Sequence, residues 1–166
     1  MSWKKKILYG LLGAFALLQV YPRFSNDGSV DGPNAMNNAV TVPENVNAIL
    51  SKACNDCHTN HTNKPWYTLI QPFDMWIGHH VDEGKEELNF SEFKSYPLKK
   101  QLHKIHEIEE VLKEGEMPLD SYTWMHGDAK LSDKEKQTLY NWVEEAMTEL
   151  KGGVSINDEE EEEEHD

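Results

Sequence analysis

Two thiols and an imidazole are the residues of this chain best suited to chemistry. Cys54 and Cys57 are its only cysteines, and with His58 they form Cys54-Asn-Asp-Cys57-His58, a CxxCH element. That pattern suits covalent haem attachment: the thiols add across two vinyl groups of the porphyrin, and the adjoining imidazole binds the iron as proximal ligand. Two other uses compete. A CxxC pair can be a dithiol-disulfide couple, and His61 extends the run to CxxCHxxH, four possible zinc ligands within eight residues. The first belongs in a βαβ pattern, whereas the residues before Cys54 have helical spacing. The second crowds every ligand into one short stretch, with no further cluster elsewhere. The expected cofactor is one covalently bound haem c, with Cys54 and Cys57 as its thioether residues and His58 on the iron.

A sixth iron ligand has several candidates. Met117 follows Gly115-Glu116 and precedes Pro118, which restricts the backbone before it. A thioether from such a loop would raise the reduction potential above that of a bis-histidine iron. His61, His79, His80, His126 and Met125 are rivals. An open sixth position would favour gas binding or peroxide chemistry instead.

The elements that must position these residues are helical, giving a mostly α fold class. Thr41-Val-Pro-Glu44 has the form of a capping box, and Val46, Ile49, Leu50 and Ala53 recur at i, i+3, i+4 and i+7. Cys54 and Cys57 continue that stripe, so the face that enters the core also delivers the thiols. A second helix is predicted from about Pro97 to Glu114, with Leu98, Leu102, Ile105, Ile108 and Leu112 on one face and Gly115 as its stop. A third starts at Ser132 with Glu135 completing a capping box. It carries Leu139, Trp142, Val143, Ala146, Met147 and Leu150, and Lys151-Gly152-Gly153 closes it. His103 and His106 fall at the stripe edge, and Trp142 reads as core.

The ends of the chain differ from its middle. Lys4, Lys5 and Lys6 precede the uncharged, largely apolar run Ile7 to Val20, 14 residues against the roughly 20 of a comfortable transmembrane helix. Trp3 and Tyr21 border it as interfacial aromatics. Leu18 to Arg23 contains no small-x-small cleavage pattern, so residues 1–24 are expected to be an uncleaved signal anchor. The rest would then lie on the periplasmic side of the cytoplasmic membrane, or be secreted to the periplasm if the anchor were cleaved. Export agrees with haem attachment, which takes place outside the cytoplasm. Residues 25–40, rich in Ser, Asn, Asp and Gly, are expected to form a flexible linker. Residues 41–151 are expected to form a single domain that binds the haem, and 152–166 a disordered acidic tail.

Of the net charge of −14, the first 25 residues contribute +4 and the tail from Asp158 contributes −8, leaving −10 on the middle of the chain. An acidic domain argues against nucleic acid as partner and is compatible with a basic redox protein met by electrostatic steering. The Glu-rich stretch Glu107, Glu109, Glu110 reads as a solvated helix face. No hydrolase triad, phosphate loop or paired-carboxylate site is visible.

The run from Cys54 to His58 and on through His61 to Pro65-Trp66-Tyr67 resembles the small haem-binding domain family of bacterial envelope cytochromes. So do His80-Val-Asp-Glu83-Gly84, Leu88-Asn89-Phe90-Ser91, Met117-Pro118-Leu119 with Tyr122, and Leu131-Ser132-Asp-Lys-Glu135 with Trp142. The likeness covers most of Val46 to Leu150. It implies a small cytochrome-c-like helical domain around one haem, often anchored by one N-terminal segment, with Met117 as the distal ligand. Asp74 and Met75 stand where that family tends toward Ser and Trp, so no role carries over to them. The function expected is that of a membrane-tethered monohaem c-type cytochrome, a one-electron carrier rather than an enzyme. The alternatives are a five-coordinate haem sensor or peroxidase-like protein, and a zinc-binding interaction module.

Overall fold

Ser132 and Glu135 cap each other as their spacing predicts. The Glu135 carboxylate accepts from the Ser132 amide at 2.9 Å and its hydroxyl at 2.7 Å, while the Glu135 amide donates back to the Ser132 hydroxyl at 3.4 Å. They open the last of seven α-helices in a computed structural model that describes residues 2–163, with side chains through Gly153. The helices are α1 (Trp3–Leu18), α2 (Glu44–Ala53), α3 (Asn55–His58), α4 (Phe73–Glu87), α5 (Leu98–Glu114), α6 (Asp120–Met125) and α7 (Asp133–Glu163). Four 3-10 turns link them. Among the described residues there is no β-strand, only an isolated bridge between Asp27 and His61. The mostly helical expectation therefore holds.

The core gathers the predicted stripes of α2, α5 and α7 against one another. Leu50, Phe93, Ile105, Leu139, Trp142 and Val143 are all essentially inaccessible, and the Trp142 indole N–H is satisfied by the Thr41 carbonyl at 2.9 Å. α5 ends at Gly115 in the left-handed conformation, φ 77°, which glycine adopts without the strain of a β-carbon.

Local expectations differ from the structure at several places. The Thr41 box does not form. Thr41 donates its amide and hydroxyl to Glu149 on α7 instead, and Pro43 occupies the N-cap of α2. α7 does not stop at Gly152-Gly153 but continues to Glu163. A glycine in a helix interior costs about 1 kcal/mol relative to alanine, yet its backbone still reaches helical dihedrals. Residues 164–166 of the expected tail lie outside the described residues.

Residues 25–40, expected as a flexible linker, pack against the domain. Ala35, Met36 and Val40 are buried in the core, and Asn26 is 6 % exposed. Their polarity reflects hydrogen bonding rather than solvation. The Asn26 side chain donates to the Thr59 carbonyl and the Thr62 hydroxyl, both at 2.9 Å, and accepts from Lys85 at 2.8 Å. The Gly28 amide donates to the Asn60 carbonyl at 2.7 Å, and the Met36 amide to the Phe90 carbonyl at 2.8 Å. The segment is a strap over the loop that follows His58.

α1 has no buried residue. No helix among the described residues is long and apolar enough to cross a membrane. With 16 residues α1 spans about 24 Å, short of the roughly 30 Å hydrocarbon core.

Candidate functional site

α2 ends where the CxxCH begins. Cys54 caps it at φ −129°, and the chain turns at once into α3, where the amides of Cys57 and His58 both donate to the Cys54 carbonyl, at 3.1 and 3.0 Å. This one turn brings both thiols and the imidazole to the same side. They line a cavity of about 260 Å³ together with Gly84 of α4 and with Met117, Pro118, Leu119 and Tyr122 from the α5–α6 connection. A second cavity, about 730 Å³, shares Asp56, Cys57, His80, Leu119 and Tyr122 with the first and is otherwise largely aromatic, with Trp66, Tyr67, Phe73, Trp76 and Trp124 in its wall. The two adjoin, and their combined size falls in the range of sites for ligands of several hundred ångström cubed.

The ring of His58 is fixed by its neighbours. Nδ1–H donates to the Leu88 carbonyl at 2.9 Å, so Nε2 carries the lone pair. Burial lowers the imidazole's pKa below its ordinary value, against smaller opposing contributions from the Leu88 and Gly84 backbone. Both effects keep the ring neutral and in one tautomer, the condition for a metal-binding imidazole with a carbonyl as its outer partner. The His58 carbonyl accepts from the Phe90 amide at 2.7 Å, which ties the turn to the segment after α4.

Cys54 and Cys57 are not joined by a disulfide. Burial pushes Cys54 up to about 12, helped by its neighbour Cys57, and burial and the Asp56 charge push Cys57 up to about 11. Dithiol couples that exchange disulfides work the other way, with a thiol held near or below neutrality. The zinc use finds no ligand set either: among the described residues no three His, Cys, Asp or Glu are gathered to hold a metal ion. His61, which would complete CxxCHxxH, is exposed, its backbone amide and carbonyl both paired with the Thr59 hydroxyl. By contrast two thiols, a neutral imidazole and an apolar cleft are what a covalently held haem requires.

Of the candidates for the sixth position, Met117 and His80 line the same cavity as His58. His80 lies edge-on to Trp76, ring centroids 4.8 Å apart, with Nδ1 3.5 Å from Glu83. His79 is exposed and faces Glu83. His126 and Met125 belong to the second cavity. Both nitrogens of His126 are engaged, Nδ1–H donating to the Tyr122 carbonyl at 3.1 Å and Nε2 accepting from the Tyr67 hydroxyl at 2.9 Å.

Three features of the site were not foreseen from the sequence. Tyr122 donates to Asp56 at 2.8 Å and so links α6 to the CxxCH turn. Its own hydroxyl is held protonated by burial and by that carboxylate. Gly84 is where α4 crosses α3, so closely that a β-carbon there would lie 2.8 Å from the Cys57 carbonyl oxygen. Asp74, 2 % exposed, accepts from the Phe24 amide at 2.9 Å and from the Gln71 side chain at 3.1 Å. Asp74 thus docks the segment after α1 on the first turn of α4. A capping-like carboxylate in the first turn of an apolar helix was the one available signal.

The haem-binding domain family matches the chain over residues 13–145, most of its length. No curated protein and no solved structure matches it.

Proposed function

Because the chain belongs to the haem-binding domain family, we propose that it is a monohaem c-type cytochrome that transfers single electrons outside the cytoplasm. Cys54 and Cys57 would hold the haem through two thioethers, and His58 and Met117 are the residues that would bind its iron. Haem, when bound, supplies an iron centre that cycles between ferrous and ferric states. The protein's own residues do the rest. The Leu88 carbonyl orients the His58 ring, Gly84 lets α4 close over the CxxCH turn, and the aromatic cleft offers an apolar wall for the porphyrin. Residues 1–24 attach the chain to the membrane, and the acidic surface, carrying Glu83, Glu86, Glu87 and Glu110, meets a basic redox partner.

The observation that carries this reading is the meeting of both thiols, the fixed neutral imidazole and Met117 on one cavity. His80 on that same cavity supports a second reading, a bis-histidine iron of lower potential. The test is the pyridine haemochrome spectrum of protein made with a c-type maturation system, wild type against Cys54→Ala/Cys57→Ala. A c-type spectrum that survives denaturation and acid-acetone extraction, and is lost in the double variant, is expected. Colourless wild-type protein, or haem that extracts freely, overturns the proposal.

A further inference from the structure

A charged side chain is buried on α5. The buried residues of that helix are Gln101, Lys104, Ile105, Ile108 and Leu112, so Lys104 stands on its core-facing side. It is 8 % exposed and is the one buried cation among the described residues. A lysine is almost never fully buried unless something pairs with it, and here two carboxylates do. The ammonium lies 3.1 Å from Glu87, the last residue of α4, and 2.6 Å from Glu107, one turn along its own helix. Burial opposes the charge, but the hydrogen bonds and charges of Glu107 and Glu87 outweigh it and hold the ammonium's pKa above its ordinary value.

Glu87 connects this cluster to the site. It lines the smaller cavity with the two thiols and His58, and the next residue, Leu88, supplies the carbonyl that accepts from His58 Nδ1–H. Asp56 and Glu83 line that cavity too, and among the described residues no lysine or arginine lines either cavity. Lys104 is thus a cation set one carboxylate behind an acidic wall. The His58 ring feels it: after the larger effect of burial, the Lys104 charge also disfavours a positive imidazole.

We propose that Lys104 sets the reduction potential of the haem site: its positive charge, held in place by Glu87 and Glu107, raises the potential above what the acidic wall alone would give. The proposal rests on the attachment of haem at Cys54, Cys57 and His58. When one electron leaves for a redox partner, the iron goes from ferrous to ferric and the site gains one positive charge. A cation nearby opposes that gain and a carboxylate favours it. The Lys104 side chain is 9 % exposed and that of Glu87 74 %, so the ammonium acts through less solvent than the carboxylate it holds. One ammonium against two carboxylates leaves the cluster at −1. Lys104→Met makes it more negative by one charge, and Glu87→Gln less negative by one. A mere tie between α4 and α5 would behave differently, because both substitutions break the same ion pair and would move the potential alike.

The test is a spectroelectrochemical titration of the full haem-loaded chain as wild type, Lys104→Met, Lys104→Arg, Glu87→Gln and Lys104→Met/Glu87→Gln, with helicity checked by circular dichroism. Lys104→Met is expected below the wild type in potential, Lys104→Arg close to it and Glu87→Gln above it. The double variant should lie below Glu87→Gln. That comparison decides the matter where Lys104→Met fails to fold, since it removes the ammonium without leaving Glu87 unpaired. Shifts of one sign in Lys104→Met and Glu87→Gln, or equal potentials in Glu87→Gln and the double variant, overturn the proposal. Wild type without covalent haem overturns the haem reading and this proposal together. Covalent haem whose potential is indifferent to Lys104 overturns this proposal alone.

Discussion

Gly84→Ala sets two physical effects of opposite sign against each other. In an exposed helix interior, replacing glycine by alanine stabilises by up to about 1 kcal/mol. At position 84 the new methyl would lie 2.8 Å from the Cys57 carbonyl oxygen and 3.2 Å from the Cys57 β-carbon. The nearer atom is backbone, held in the CxxCH turn, and cannot rotate aside as a side chain would. Forced overpacking of this kind costs about 1 to 3 kcal/mol. With a backbone obstacle the cost belongs in the upper part of that range, leaving a net loss of about 1 to 2 kcal/mol. For a chain of this length that is a fall in Tm of roughly 2 to 8 °C. Urea unfolding followed by far-UV circular dichroism measures it as a lower midpoint at unchanged slope. Gly78→Ala is the internal comparison, since its methyl would meet the Phe24 side chain, which can yield, and its loss should be smaller. A Gly84→Ala variant more stable than wild type, the outcome of helix propensity alone, would refute the close crossing of α4 over α3.

Met117→Ala should leave haem attached but remove the sulfur-to-iron charge-transfer band and lower the potential, whereas His80→Ala should leave both unchanged; the reverse pattern assigns the iron to His80. Carbon monoxide should bind the wild type sluggishly and Met117→Ala quickly, and rapid binding to both would mean an open sixth position. Tyr122→Phe deletes the bond to Asp56 and should cost about 1 kcal/mol in urea unfolding, with no change meaning that solvent replaces the bond. The Lys52 ammonium and Ser132 hold the Glu135 carboxyl at about 2, below its ordinary value near 4.5, so its contribution to stability is complete above about 4.5 and is lost as pH falls toward 2. The stability gap between wild type and Glu135→Gln should accordingly be constant near neutrality and close by about pH 2; a gap that persists there contradicts the assignment.

What could be read in the sequence was whatever a short stretch determines by itself. CxxCH is contiguous, the stripes of α2, α5 and α7 repeat at helical spacing, and the Ser132–Glu135 box closes within four residues, so each declares its geometry locally. The Thr41–Glu44 box has the same letters and fails, because Thr41 finds a partner 108 residues away on α7. The strap fails to show for a related reason. Asn26, Gly28 and Asn34 have the composition of a solvated linker, and only the tertiary fold reveals that their polar groups are spent on Thr59, Asn60, Glu92 and Lys94.

That difference bears on how the site is held. His58 takes its orientation from Leu88, and the chain on either side of Leu88 is fixed from two directions. α4 presses on α3 at Gly84, and the strap binds the loop after His58 at Thr59, Asn60 and Thr62. Just before the strap, the Phe24 amide is bolted to Asp74 at the start of α4. One helix, α4, therefore meets the segment after α1 at its first turn and is capped at its other end by Leu88, whose carbonyl orients His58. A force that shifts α1 relative to the domain acts on α4 before it reaches anything else. Loosening that bolt with Asp74→Ala should be felt about four helical turns away, as a longer His58–Leu88 hydrogen bond read from the imidazole Nδ1–H resonance. An unchanged resonance would show that α4 does not transmit the displacement.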